Sequence, residues 1–334
     1  MLANIKLIVL LAATLSIGCA GVEPGESIEP SEPGDSTVRP ERDAVPDIKG
    51  DSPSLVDPNC LDTAPAPAPM INGLGPTARI TSMQLPTSIR AATEMGCPLV
   101  AGSKGGQGLT ALMRVMAIDV DTLVNPDADG VIPSIILGHL AGWDVGQSGN
   151  QTSNLDLRMY TGTGGAGDTF GIDPASMNPN GQTRVHFPAT VGCQALETET
   201  ARIDFAVPVE DAEVPLTLEA AQVSGKISVD ETGFNLTEGR IVGYVPIEAI
   251  VSIVSGIQAA CGAPNAPMAC DNAEILLSGD AEEITRTLVL PFLFGLDAQL
   301  SPDLRSASSC HGDACNAMSV CIAFEANSVN VEQL

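Results

Sequence analysis

The sequence predicts an α+β, β-rich fold: antiparallel sheets in a sandwich-like arrangement, two or three packed helices, and disulfides stapling the whole. Three observations lead there. Period-two alternation recurs through the second half of the chain, two stretches carry a helical apolar stripe, and eight cysteines lie beyond Cys19.

The chain opens with "MLANIKLIVLLAATLSIGCAG", one lysine (Lys6) ahead of an apolar run from Leu7 to Ile17. That run is shorter than the roughly 20 apolar residues a spanning helix needs, so it reads as an export signal over residues 1–18. It ends in "LSIGC", with Gly18 directly before Cys19, which resembles the lipobox of bacterial lipoproteins. The resemblance implies cleavage before Cys19 and a lipid on its thiol. Ala20 in place of Asp at the next position implies the outer membrane, at its periplasmic face or at the cell surface. Residues 19–59 follow as a tether. The stretch from Gly21 to Asn59 holds seven prolines, many acids and no aromatic residue, and such a composition does not bury enough surface to fold.

The remaining span, residues 60–334, reads as one β-rich globular domain. "ARITSMQLP" is an opening strand. "LTALMRVMAIDVDTLV" sets Leu109, Leu112, Met113, Met116, Val120, Leu123 and Val124 at helical spacing. "VIPSIILGHLAGW" and "NLDLRMY" read as further strands, one buried and one half-buried. In "ARIDFAVPV", Ile203, Phe205, Val207 and Val209 share a face. "VPLTLEAAQVSGKISV" shifts parity between Leu216, Leu218, Ala220 and Val223, Ile227, Val229, which predicts a bulge or bend. "FNLTEGRIVGYV" continues the meander. "PIEAIVSIVSGIQAACG" reads as a helix with Pro246 in its first turn, a face of Ile247, Ile250, Val251, Val254 and Ile257, and Gly262 as its stop. The last strand, "MSVCIAFEA", turns Met318, Val320, Ile322, Phe324 and Ala326 one way and Cys321 the other.

The eight cysteines are Cys60, Cys97, Cys193, Cys261, Cys270, Cys310, Cys315 and Cys321. An even count in an exported chain reads as disulfides, and short loops favour Cys261–Cys270 and Cys310–Cys315. Cys60–Cys97 is a further pairing, one that would staple the tether to the first strand region. Metal ligation is the alternative for "CHGDAC", but no second cluster has zinc-site spacing.

Charge excludes whole classes of partner. Lys and Arg number 15 against 41 Asp and Glu, a net of −26, which becomes −27 once residues 1–18 remove Lys6. Nucleic acids and anionic headgroups both need basic surface, so membrane contact is expected through the lipid anchor alone. One Trp and two Tyr also leave little for a sugar-binding face. The expected partner is a protein or a small molecule of unspecified kind.

Few motifs carry chemistry. "NPDADG" sets Asn125, Asp127 and Asp129 at the first, third and fifth positions of a calcium loop, with Gly130 at the turn. The twelfth position, where a bidentate Glu belongs, is Ile136, so an Asx/Gly turn is the preferred reading and no cofactor is expected apart from this calcium alternative. "GSKGGQG" lacks Walker spacing. Gly162, Gly164 and Gly167 follow a strand at G-x-G-x-x-G spacing, but Pro174, Pro179 and the Asn/Gly cluster that follow block the helix a dinucleotide loop requires. A long mobile loop into the second half is expected there. The histidines are His139, His186 and His311, and no serine stands in a G-x-S-x-G elbow.

Taken together, "LDLRMYTG", the span "IDFAVPVEDAEVPLTLEAAQVSGKISVDETGFNLTEGRIVGYVP" with its helix, and "CNAMSVCIAFEA" resemble uncharacterised secreted lipoproteins of myxobacteria-like Gram-negative bacteria. The strand and amphipathic stretch from Ala78 to Val124 belong to the same likeness, with "GCPLVAGSKGGQG" replacing the Asp/Gly-rich loop such proteins often carry. The resemblance implies an exported, anchored protein and brings no activity with it. The expected function is therefore a lipid-anchored cell-envelope protein with a structural or binding role and no catalytic residues. The alternatives are a secreted hydrolase with dispersed residues, using His139 or His186, and a lipid-handling module with an apolar cavity.

Overall fold

A computed structural model of the chain describes residues 76–97, 106–115, 119–143, 152–164, 169–192, 194–209, 212–229, 233–262, 270, 279–292 and 295–332. The expected export signal, Cys19, the expected tether and its boundary at residue 60, Cys60 and Cys193 lie outside the described residues.

The strands are β1 (Thr77–Gln84), β2 (Ile136–Ala141), β3 (Thr152–Thr163), β4 (Thr169–Ile172), β5 (Val185–Gly192), β6 (Ala195–Thr198), β7 (Ala201–Val209), β8 (Ala212–Val229), β9 (Phe234–Pro246), β10 (Gln299–Leu300), β11 (Ala307–Ser308), β12 (Ala317–Ser328) and β13 (Asn330–Glu332). They correct the sandwich to a closed barrel. The ladder runs β1–β2–β3–β5–β6–β8–β9–β12 and returns to β1, antiparallel at every step. A barrel of this strand number has an interior just wide enough for side chains to fill.

The alternation fills it. Leu140, Leu157, Phe187, Val223, Ile241 and Phe324 come from six different strands and belong to one buried cluster, and Trp143 and Phe234 join it. Strand residues of the opposite parity, among them Asp156, Arg158, Glu197, Lys226, Glu325 and Asn327, are exposed or half-buried. Lipid-facing walls of membrane-spanning barrels carry the reverse pattern, apolar outside. The expected parity shift in β8 is a bulge. Leu216 and Leu218 face inward, and so do Ala221 and Val223, while Ala220 takes a φ of +46° between them and packs outside with Ala298 and Leu300.

The helices are α1 (Ile89–Glu94), α2 (Gln107–Val115), α3 (Val120–Val124), α4 (Ile247–Cys261) and a last segment, α5, that begins at Ala281–Ile284. The single stripe read from Leu109 to Val124 is thus divided between α2 and α3, with Leu109, Met113, Val120 and Val124 buried. Pro246 ends β9 instead of entering α4. The apolar face of α4 is Ile250, Ile253, Val254 and Ile257, so Ile253 takes the place expected of Val251. α5 passes through a π turn over Thr285–Val289 into Leu290–Phe292, where Pro291 has no N–H to continue α-helical bonding.

Beyond the barrel, β7 and β8 extend as a ribbon whose ladder with β9 starts only at Glu219. Pro208 pairs with Glu213 and Pro215 with Ala206, and as prolines neither has a backbone N–H to offer a further strand. Strands β4 and β13 cover part of the outer wall, packing Phe170, Ile172, Val329 and Val331 over Leu137 and Tyr160.

Among the described residues three disulfides are formed. Cys261–Cys270 and Cys310–Cys315 are as expected, but Cys97 pairs with Cys321 and not with Cys60. Cys321 points outward from β12, as its parity requires, and meets Cys97 just past α1 beside Ala92. Stable disulfides mark a chain that folds in an oxidising, extracytoplasmic compartment.

Loop-closure entropy ranks these bridges. Cys97–Cys321 spans 224 residues and Cys310–Cys315 only 5, worth about 5 and about 2 kcal/mol respectively in the chain-entropy treatment. Denaturant melts of the paired alanine variants check this: removing Cys97 and Cys321 costs the larger amount, and equal losses from the two bridges contradict the ranking.

Candidate functional site

Strand β3 has two faces. Leu155, Leu157 and Met159 enter the barrel core, which leaves Asp156, Arg158 and Tyr160 on the outer wall. The register sets Arg158 opposite His139 of β2 on one side and opposite His186 of β5 on the other. A row His139–Arg158–His186 therefore crosses three strands. Asp156 serves two of its members: Oδ2 accepts from Arg158 Nε at 2.9 Å, and Oδ1 lies 3.3 Å from His186 Nδ1. Arg184, two residues before His186 and likewise exposed, donates Nε to the Met177 carbonyl at 3.2 Å.

Burial separates the two histidines. The His186 side chain is 60% exposed, whereas His139 is 7% exposed. Burial, aided by the nearby Arg158 charge and opposed by Asp156, pushes the His139 pKa down to about 4. Burial also raises the Tyr160 pKa, against the pull of Arg158. The row thus holds a neutral inner histidine, a paired guanidinium and a solvent-facing imidazole. Asp156 resembles the orienting acid of a His–Asp pair, but its other oxygen is taken by the Arg158 guanidinium, so the carboxylate is shared and not dedicated to His186. The arrangement suits charged recognition better than proton transfer.

The other expected sites resolve separately. Asp127 Oδ1 accepts the backbone N–H groups of Asp129 and Val131, each at 2.9 Å, and Asn125 donates its amide to the Asp121 carbonyl. This is an Asx turn closed by Gly130 at a φ of +79°. Of the glycine series, Gly162 stays within β3, and Thr163 pairs with Gly171 of β4. β3 reaches Thr163 and β4 takes up Thr169–Ile172, within the span expected as one long loop. A Cβ at Gly162 would lie 2.5 Å from Ile135 Cγ2, so close packing explains that glycine. Gly167 lies outside the described residues, as do the first four residues of "GSKGGQG"; Gly106 donates its N–H to Ser319 Oγ at 3.4 Å. His311 is exposed and leads into the short turn Gly312–Ala314.

One polar node was not anticipated. Ser319 of β12 donates its N–H and its hydroxyl to the buried Asp297, both at 2.7 Å. Tyr244 pairs with Ser319 on one side and with Glu219 on the other. Burial, reinforced by Asp297, pushes the Tyr244 pKa up to about 12. Arg202 reaches the buried Glu219 at 3.4 Å. The Asp297–Ser319 bonds fasten the 295–308 excursion to the barrel wall. Outward parity in "LDLRMY" was the available signal for Asp156 and Arg158; nothing local marked Asp297.

No protein-family model, no curated protein and no solved structure matches this chain.

The buried imidazole makes stability pH-dependent. The unfolded chain takes up its proton near the ordinary 6.5, and the folded one only near 4. The stability His139 confers is complete above pH 6.5 and lost as pH falls to 4, roughly 3 kcal/mol in all. Urea melts across that window should show the decline, and His139→Gln should flatten it. An unaltered slope in the variant contradicts the assignment.

Proposed function

We propose that this chain is a lipid-anchored cell-envelope protein, held through Cys19 at the outer membrane, whose barrel has a structural or ligand-binding role and performs no catalysis. One observation carries the reading. The barrel wall is inside-filled and outside-charged, with Trp143, Phe187 and Phe234 each less than 2% exposed at its centre. Such a core supports a rigid presenting domain over a lipid-handling one, because an eight-stranded barrel holds a ligand only where side chains leave room. The Asp156–Arg158 pair speaks against the hydrolase alternative for the reason given above. The signal, the lipobox and the acidic tether supply the anchor and the spacing from the membrane.

Intact-mass and peptide mass spectrometry of the mature protein tests the proposal. The expected result is an N-terminus at Cys19 carrying a diacylglycerol mass. An unacylated terminus, or cleavage elsewhere, contradicts it.

A further inference from the structure

We propose that Arg158, His186 and Arg184 form a binding site for a small phosphate-bearing anion on the outer wall of β3 and β5. The composition makes their meeting unusual: the chain has 15 Lys and Arg against 41 acids. Yet the outward positions on this stretch of β2, β3 and β5 and the residue leading into β5 are Leu137, His139, Asp156, Arg158, Tyr160, Arg184, His186 and Pro188, with Asp156 the one acid among them.

The donors are held in place before any ligand arrives. Arg158 is fixed through Asp156, and Arg184 through the Met177 carbonyl. In both arginines Nε is the atom engaged by Asp156 or the carbonyl. Most of the amino donors of the two guanidinium forks are left for oxygen acceptors. His186 shares the same face and is exposed. Guanidinium forks match phosphate oxygens in pairs, and a phosphate near −2 answers two guanidinium charges better than a single carboxylate does.

Net charge selects the size of the ligand. At −26 the molecule repels an extended polyanion or an anionic membrane over its whole surface. A small anion within about 8 Å, one Debye length at physiological salt, responds mainly to the local cations. Asp156 opposes it from one side of the group, so the site is one of moderate affinity.

The inference rests on reading the barrel wall as a binding face. The test is titration of the full chain with inorganic phosphate at constant ionic strength, followed by calorimetry and by the resonances of β3 and β5. Saturable binding is expected. Arg184→Gln, which loses one backbone contact and should leave the fold intact, is expected to weaken it at least tenfold, and Asp156→Asn to strengthen it several-fold. Glycerophosphoglycerol, a diester standing for a lipid headgroup, should bind at least tenfold more weakly than phosphate. Absence of saturable binding, indifference to Arg184→Gln in a variant with unchanged melting, or equal binding of the diester overturns the proposal. The acyl mass at Cys19 is measured independently, so loss of the ligand and loss of the anchor are told apart.

Discussion

Closure of the ladder between β1 and β12 is the constraint on which the remaining structure depends. Ala78 pairs with Ser328 and Gln84 with Ala323, joining strands some 250 residues apart in the chain. Without this seam the sheet has two free edges, and its apolar face has no enclosed interior to fill. With it, every strand of the barrel has a neighbour on both sides, and alternation separates core from wall. The seam is reinforced from outside. Thr77 donates its hydroxyl to the Val329 carbonyl at 2.7 Å, Arg79 reaches the Val124 carbonyl at 2.9 Å, and Cys97 bonds covalently to Cys321.

Most strands were legible because each writes its own pattern. In "MSVCIAFEA" the even positions are apolar, and those side chains do enter the core while Cys321 faces out. The β8 bulge was legible for the same reason, as a change of parity, although Ala220 falls on the outer side of it. Barrel and sandwich were not distinguishable, since both demand one apolar face per strand. What differs is which strands meet, and the β3–β5 and β1–β12 ladders leave no mark in either partner alone. Cys97–Cys321 escaped for a related reason: short loops are the natural choice from spacing, whereas this bridge follows the fold.

The candidate site shows the same limit. Asp156, Arg158 and Tyr160 occupy the outward parity of a strand whose inward residues drew attention first, and His139 and His186 stood as isolated histidines. Register alone brings them into one row. The glycine series nearby has the spacing of a phosphate cradle, but Gly162, its first member, serves packing at Ile135.

Hydrogen exchange along β1 and β12 tests closure most directly. Ala78 and Arg79 of β1 pair with both β2 and β12, and Ala323 and Phe324 of β12 pair with both β1 and β9. In a closed barrel the consecutive amides of each pair donate to opposite neighbours, so all four are expected to exchange slowly, near the global unfolding limit. One slow and one fast amide in each pair, the mark of an edge strand, would contradict the closed barrel.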